Sequence, residues 1–489
     1  MKSLWDQEHA ANLNGDLLKL RVYTSRLLGQ EEDLVMHGGG NTSVKAQEKD
    51  IFGVEEDILF VKGSGWDLAT IEEPGFAPVK LNVLKKLATL DTLTDLDMVR
   101  NQRMAMTNPA APNPSVEAIL HAIIPFRFVD HTHADAVVTI TNTPHGEEKI
   151  TEIFGDKVLI VPYVMPGFIL AKEIYNMTRA FDWNRIDGMI LMNHGVFTFD
   201  DDARKSYEKM IDIVSKAEQY LSSKAAPMEP REASPVDGHR IAKIRQLVGE
   251  TWQKPVLCRL DDAPTTIAFS QLPDVEALVS RGPLTPDHII RTKRTPVVLA
   301  NDNKEQIRQF IEDYDAYFDS FSQAGQTKLD CAPRWAILPG QGSLTFGSTI
   351  KNLKIIQDIS RHTMRAIQQA EQMGGWTALP SSDLFEVEYW SLEQEKLKKS
   401  TGSAPFEGQA ALVTGAASGI GAACVQSLLD QGAVVIALDI QPVIASKFDD
   451  PRVLGIACDV TKVDAVKQSI EKAVKQFGGL DMLVSNAGI

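Results

Sequence analysis

Only four cysteines occur in the 489 residues, Cys258, Cys331, Cys424 and Cys458, and none of them forms a CxxC pair. That scatter excludes a disulfide framework and a thiolate zinc site as organising devices. No apolar run is long enough to span a bilayer. From Met1 to Leu20, Asp6, Glu8 and Asp16 interrupt any apolar core of the kind a signal peptide needs. These absences predict a protein of the reducing cytoplasm with no membrane partner. Positive charge is also scarce, since 50 Lys and Arg stand against 65 Asp and Glu, for a formal net charge of -15. A nucleic-acid binder needs clustered cations to neutralise phosphates, so nucleic acid is excluded as a general partner. An anionic substrate must be gripped by a local pocket.

What is present is the composition of a soluble globular protein, 44% apolar and 24% charged. At ~150 residues per domain the length predicts roughly three domains. Residues 1–230 alternate strand-like runs (Ile58 to Val61, Ala136 to Ile140, Met189 to Met192) with helical stretches and close on an amphipathic helix from Ala203 to Ser222, an α/β pattern. Pro227, Pro230 and Pro235 mark a linker from Ala225 to Gly238. Residues 231–400 form a mixed α/β middle region, with strands at Pro296 to Leu299 and Trp335 to Leu338 and a helix from Ile350 to Met373. Within it, Ile337 to Phe346 echoes Ile190 to Phe199, and each segment is followed by a helix containing Ala-Glu-Gln. This echo predicts a degenerate second copy of part of the first domain, with Gln341 where the first copy has His194. A small-residue linker, Lys398 to Ser403, precedes a third block, residues 401–489.

His131 and His133 stand two apart at a predicted strand, so their side chains share a face and can converge on one ion. His194 follows the apolar run Met189 to Met192 and precedes Gly195, at a strand end where the chain can turn. Three imidazoles with a fourth position open suit a catalytic metal rather than a structural one. His37, His121 and His145 remain alternative ligands, and paired strand histidines are often only hydrogen-bonded. Glu117, in a loop entering a helix, is a candidate acid or base, or simply a cap of that helix. The stretch from His37 to Lys45, with Gly38, Gly39, Gly40 and Asn41, and the stretch Lys62 to Gly65 each offer backbone N–H groups for an anion, with Ser64 and Lys62 as further donors. Both could equally be tight turns.

Gly40, Asn41 and Ser43, then Gly63, Ser64 and Gly65, then Ser115, Val116 and Glu117, then His131 and His133, then Asn193, His194 and Gly195, resemble the class II aldolase and adducin family in order and spacing over about 200 residues. The resemblance implies an α/β/α fold, His131, His133 and His194 as zinc ligands, Glu117 as the catalytic acid and base, and Asn41, Ser64, Gly65 and Ser115 at a substrate phosphate. It also makes a homo-oligomer the expected assembly. Val116 departs from the pattern, where phosphate-using members often carry a second hydroxyl, so a different phosphate pose or an unphosphorylated substrate stays open.

From Ala410 an apolar strand runs into a glycine-rich turn and a helix, and a second strand ends at Asp439. Glycines there let a pyrophosphate approach the helix N-terminus, and an acid at the second strand end favours NAD over NADP. Thr414, Gly415, Ser418, Gly419, Ile420 and Gly421, with Asp459, Val460, Asn486, Ala487 and Gly488, resemble the short-chain dehydrogenase/reductase family. The resemblance implies a partial Rossmann fold, a doubly wound parallel sheet, with Asp459 and Val460 at the adenine and Asn486 to Gly488 lining the cofactor. That family's catalytic Ser and Tyr-x-x-x-Lys pair lie beyond its Asn-Ala-Gly motif and are absent here, so the block reads as truncated, with a sheet edge uncovered, and no hydride transfer is expected from it.

The combination resembles the bifunctional rhamnulose-1-phosphate aldolase/lactaldehyde dehydrogenase type. It implies a zinc-dependent lyase that cleaves a deoxyketose 1-phosphate to dihydroxyacetone phosphate and an aldehyde. A dehydratase or epimerase on the same scaffold, a plain short-chain oxidoreductase and an adducin-like interaction module are the rivals. Family epimerases usually place Asp at the position of Glu117, and the interaction module needs none of the three histidines.

Overall fold

Short apolar runs, buried on both faces along much of their length, build a seven-stranded sheet in the order β3-β2-β1-β4-β7-β6-β5. Its strands are β1 (Asn41–Lys49), β2 (Glu55–Lys62), β3 (Phe76–Lys80), β4 (Phe128–Thr132), β5 (Val158–Val161), β6 (Gly188–Leu191) and β7 (Gly195–Asp200). All neighbours are antiparallel except β5 and β6. Successive side chains leave a strand on opposite faces. Along β7, Phe197 and Phe199 pack on one face with the helices Leu81–Thr89, Ala118–Ile123 and Phe168–Met177. Val196 packs on the other with the helices Leu17–Gly29, Asp135–Thr141 and Ala203–Lys224. The layers are therefore α/β/α. The computed structural model describes residues 1–13, 15–301, 303–392 and 404–488. The linker expected at Lys398 to Ser403 lies outside the described residues.

One expectation is corrected. Ala136 to Ile140 is not a strand but lies within the helix Asp135–Thr141. Its β-branched run favours a strand, yet every residue of that helix is buried, and periodicity cannot separate a fully buried strand from a fully buried helix. Ala136, Val137 and Ile140 pack there with Tyr207, Met210 and Val214.

The middle region repeats part of the first sheet. Strands β8 (Leu257–Asp261), β9 (Val297–Val298), β10 (Trp335–Leu338) and β11 (Gly342–Gly347) run in the order β8-β11-β10-β9, matching β4-β7-β6-β5. Directions agree, with only β9 and β10 parallel. Register agrees as well: Leu191 pairs with Gly195 as Leu338 pairs with Gly342, and His131 pairs with Phe197 as Leu260 pairs with Leu344. A 22-residue helix follows each hairpin, Ala203–Lys224 and Ile350–Glu371.

The third sheet is parallel, in the order β14-β13-β12-β15, from β12 (Ala410–Thr414), β13 (Val434–Asp439), β14 (Val453–Ala457) and β15 (Met482–Val484). This is one half of a doubly wound sheet. By backbone contacts the chain divides into two units, Met1–Pro227 with Pro283–Asp287 and Arg365–Lys398, and Met228–Gly282 with His288–Met364 and Lys399–Ile489. Among the described residues no helix is long and apolar enough to cross a membrane.

Candidate metal centre

His131 lies on β4, His133 just past its end, and His194 in the turn between β6 and β7. One ring nitrogen from each lies within 4.8 Å of the other two. The turn is built for this approach. Asn193 takes a left-handed φ of 59°, and a Cβ on Gly195 would sit 2.3 Å from the Thr132 carbonyl oxygen and 3.0 Å from His131 Cε1. Only glycine lets β7 pass this close.

Hydrogen bonds fix the tautomers. His131 Nδ1 is 3.0 Å from the Val196 carbonyl oxygen, which can only accept, so Nδ1 carries the proton. His133 Nδ1 lies 3.2 Å from Asp287 Oδ2, and a carboxylate at that distance favours the tautomer with the proton on Nδ1. Both Nε2 atoms are then bare lone pairs, and they face each other at 3.1 Å. Burial holds the rings neutral, pushing His131 down to about 3 and His194 to about 4. Two facing lone pairs repel unless a cation lies between them, so the donor set fits a Zn²⁺ ion. The His131 ring is also stacked on Phe197, with centroids 4.0 Å apart.

Glu117 stands at the N-cap of the helix Ala118–Ile123 but makes no side-chain capping bond. Its carboxylate turns to the histidines instead, with Oε2 3.5 Å from His131 Nε2 and Oε1 3.8 Å from His194 Nε2. Burial raises its pKa, against the opposing pull of His194 and of the Asn41 hydrogen bond. Oε1 is buried with no hydrogen-bond partner. A buried acceptor in that state is suited to take a proton.

Asn41 donates to Glu117 Oε2 at 2.6 Å, and its carbonyl oxygen faces His121 Nε2. The structure thus places this amide between Glu117 and His121, with a second N–H remaining. Ser115 and Ser64 come together because their loops are laced: Ser115 N–H donates to the Lys62 carbonyl at 3.0 Å and Ser64 N–H to that of Asn113 at 2.8 Å. Ser64 and Gly65 are exposed at the rim of this pair of loops. Lys62 is placed differently from the anion donor expected of it. It is buried, and its Nζ donates to the Gly38 and Gly40 carbonyls at 2.7 and 3.0 Å, holding the glycine stretch in shape. Of the alternative ligands, His121 is bonded to Ser43 and Asn41, His145 is exposed beside Glu148, and His37 is outside the three-histidine group.

In the third sheet, Gly415 and Gly419 adopt φ of 64° and 52°, and a Cβ on Gly421 would meet the Gly415 carbonyl at 2.1 Å. Ser418 starts the helix Gly419–Asp430 without a side-chain cap, leaving its first N–H groups to other acceptors. Asp439 accepts from Ala417 N–H at 2.9 Å and Gln441 N–H at 3.0 Å, one bond per oxygen, so each oxygen keeps a lone pair. Thr414 Oγ1 accepts from the Asn486 and Ala487 N–H groups, at 2.9 and 3.0 Å, which brings Asn486 against Gly415. Ile420 and Val460 are exposed, and Asp459 accepts from Thr461. Space is open around Gly488.

Sequence reasoning missed Asp287 and the Val196 carbonyl. Neither carries a local signal, because Asp287 reaches His133 from the middle region and Val196 acts through its backbone.

Residues 19–221 match the class II aldolase and adducin N-terminal domain, residues 236–397 the class II aldolase second domain, and residues 409–489 the short chain dehydrogenase family. The uncharacterized oxidoreductase YuxG of Bacillus subtilis (strain 168) is 32% identical over 521 residues, covering 100% of this chain and 75% of its own length. The farnesol dehydrogenase of Aedes aegypti is 43% identical over 91 residues, 17% of this chain and 37% of that protein. Among solved structures, the N-terminal class II aldolase domain of a conserved protein from Thermoplasma acidophilum is 42% identical, with a TM-score of 0.42, covering 45% of this chain and 99% of that one.

Proposed function

The chain belongs to the class II aldolase and adducin family, with a second aldolase domain and a short-chain dehydrogenase region following in the same chain, and from that premise we propose that its metal centre cleaves a deoxyketose 1-phosphate of the rhamnulose type into dihydroxyacetone phosphate and an aldehyde. The observation that carries this reading is the pair of bare imidazole nitrogens 3.1 Å apart with the Glu117 carboxylate beside them.

His131, His133 and His194 would hold Zn²⁺. Bound there, the ion supplies Lewis-acid stabilisation of the negative charge that carbon–carbon cleavage leaves on the ketose oxygens. Glu117 moves the proton: raised in pKa and held by Asn41, in cleavage it delivers a proton to the carbon that becomes the hydroxymethyl group of dihydroxyacetone phosphate, while the hydroxyl on the other side of the broken bond gives up its proton to solvent as that carbon becomes the aldehyde. Ser64, Gly65 and Ser115, with the second Asn41 N–H, bind the phosphate through hydroxyl and backbone donors, as a chain with net charge -15 requires of a local site.

For the dehydrogenase region we propose NAD binding, with the pyrophosphate on the turn from Gly415 to Gly421 and the ribose on Asp439. A cytoplasmic homo-oligomer acting on a small sugar phosphate completes the reading.

The test is metal analysis of the purified chain, then incubation of zinc-loaded and metal-stripped protein with a panel of ketose 1-phosphates. Two smaller carbonyl products, formed only by the loaded protein, are expected. One dehydrated product would reassign the site to a dehydratase, an epimeric sugar to an epimerase, and full cleavage by stripped protein would end the zinc mechanism.

A further inference from the structure

Each ring of the centre needs its far nitrogen fixed if its near nitrogen is to point at the ion. His131 has the Val196 carbonyl for this purpose. His194 Nδ1 is buried with no hydrogen-bond partner. His133 is the one ring whose far nitrogen meets a carboxylate, Asp287 Oδ2 at 3.2 Å. That residue comes from none of the strands that carry the ligands. It ends the segment Pro283–Asp287, which packs with the first unit although the sequence on either side belongs to the second.

The segment is built to hold its last residue still. Pro283, Leu284, Thr285 and Pro286 are all buried, and two prolines restrict the backbone. The Leu284 carbonyl accepts from Asn142 Nδ2 at 2.7 Å, and Asn142 also accepts through Oδ1 from Asn193, the residue before His194. The anchor of the Asp287 segment and the turn carrying His194 therefore share one side chain. Asp287 itself is half-buried, so its carboxylate keeps contact with water and does not need a second partner.

We propose that Asp287 is the positioning carboxylate of the metal site, so that the middle region completes a centre whose three ligands all come from the first domain. Its oxygen holds His133 in the Nδ1–H tautomer and adds negative charge behind a neutral ligand. This rests on the zinc reading of the three histidines. Loss of an outer-shell carboxylate of this kind weakens metal binding by about 10- to 100-fold.

The experiment uses the full chain in four forms: wild type, Asp287→Asn, Asp287→Ala and Asp287→Glu. Zinc affinity is measured by competition with a chromophoric chelator, and the visible spectrum of the cobalt-substituted protein reports ligand geometry. Weakening of about 10- to 100-fold in the Asn and Ala variants, an altered cobalt spectrum and recovery of most of the affinity with Glu are expected. Thermal midpoints of the metal-free proteins should stay together, which separates positioning from folding. Wild type that binds zinc while Asp287→Asn and Asp287→Ala bind it within about twofold would overturn this inference alone. Wild type that binds no zinc would overturn the metal reading and this inference with it.

Discussion

Asn41 and Glu117 form the last link of a directed chain: Asn41 Nδ2 donates to Glu117 Oε2 at 2.6 Å while Asn41 Oδ1 faces His121 Nε2. An amide oxygen can only accept, so His121 Nε2 carries the proton and its Nδ1 accepts from Ser43 Oγ, 2.8 Å away. Ser43, His121 and Asn41 thus aim one carboxylate.

Asn41→Ala removes that aim. A hydrogen bond to a charged group contributes about 1.5–3 kcal/mol, so kcat should fall roughly 10- to 100-fold with zinc content unchanged. A rise in KM at constant kcat would show that Asn41 serves the phosphate and not Glu117.

Glu117→Gln keeps the side-chain shape but cannot take a proton. It should retain zinc and lose cleavage by about a hundredfold or more, in line with general acid–base contributions, whereas His133→Ala should lose zinc itself. Zinc content by elemental analysis, set beside single-turnover cleavage, separates the two, and an active Glu117→Gln would remove Glu117 from the mechanism.

Beneath the centre, Asp130 leaves β4 on the face opposite His131 and meets Arg21, both fully buried. Arg21 also donates to Thr24 Oγ1 at 2.6 Å and to the Ser43 and Val129 carbonyls. Removing one partner leaves a buried charge without compensation, which costs about 3–5 kcal/mol. Arg21→Met and Asp130→Leu should each lower the unfolding free energy measured by urea titration by that much, and the double variant by less than the sum. Strict additivity would show that the two charges do not act as a pair.

Lys45, on β1, donates from Nζ to the Phe126 carbonyl at 2.6 Å, and burial pushes its pKa from 10.5 down to about 7. Between those two values the unfolded chain holds more protons at this site than the folded chain. Stability therefore rises with pH across that window, and below about 7 the full penalty of the buried cation is present. Lys45→Met should be more stable than wild type near neutrality, with the gap closing as pH approaches 10. Thermal midpoints of both proteins across that range check it, and a gap that does not change with pH would contradict it.

How much of this was legible in the sequence depended on whether a residue acts through a local pattern. His131 and His133 stand two apart at a strand and His194 at a strand end beside a glycine, so spacing made them candidates beside His37, His121 and His145, and the family resemblance singled out the three. Glu117 was ambiguous, because a carboxylate at a helix start reads as a cap until its side-chain direction is known. The segment Ala136 to Ile140 was misread because full burial removes the alternation that distinguishes strand from helix. Asp287 was invisible. Its role depends on a long-range packing of Pro283–Asp287 that no spacing encodes.

The repeated sheet gives the last prediction. Asn193 N–H donates to Thr141 Oγ1 at 3.2 Å, and Gly340 N–H donates to Ser270 Oγ at the same 3.2 Å, so even the bond that sets the turn is kept in the middle region. The frame survives while the ligands do not. Register puts Leu260 where His131 stands, Asp262 falls at the place of His133 and pairs with Lys475, and Gln341 stands for His194 and accepts from Arg240. An apolar side chain and two groups already bonded elsewhere offer no site for zinc, whatever the backbone beneath them. The chain should bind one zinc per subunit, and Gln341→His should leave that number at one, because a single imidazole cannot replace three converging ligands. Two zinc ions per wild-type subunit, the second released by Asp262→Ala or Gln341→Ala, would show that ligand loss in the second copy was misjudged.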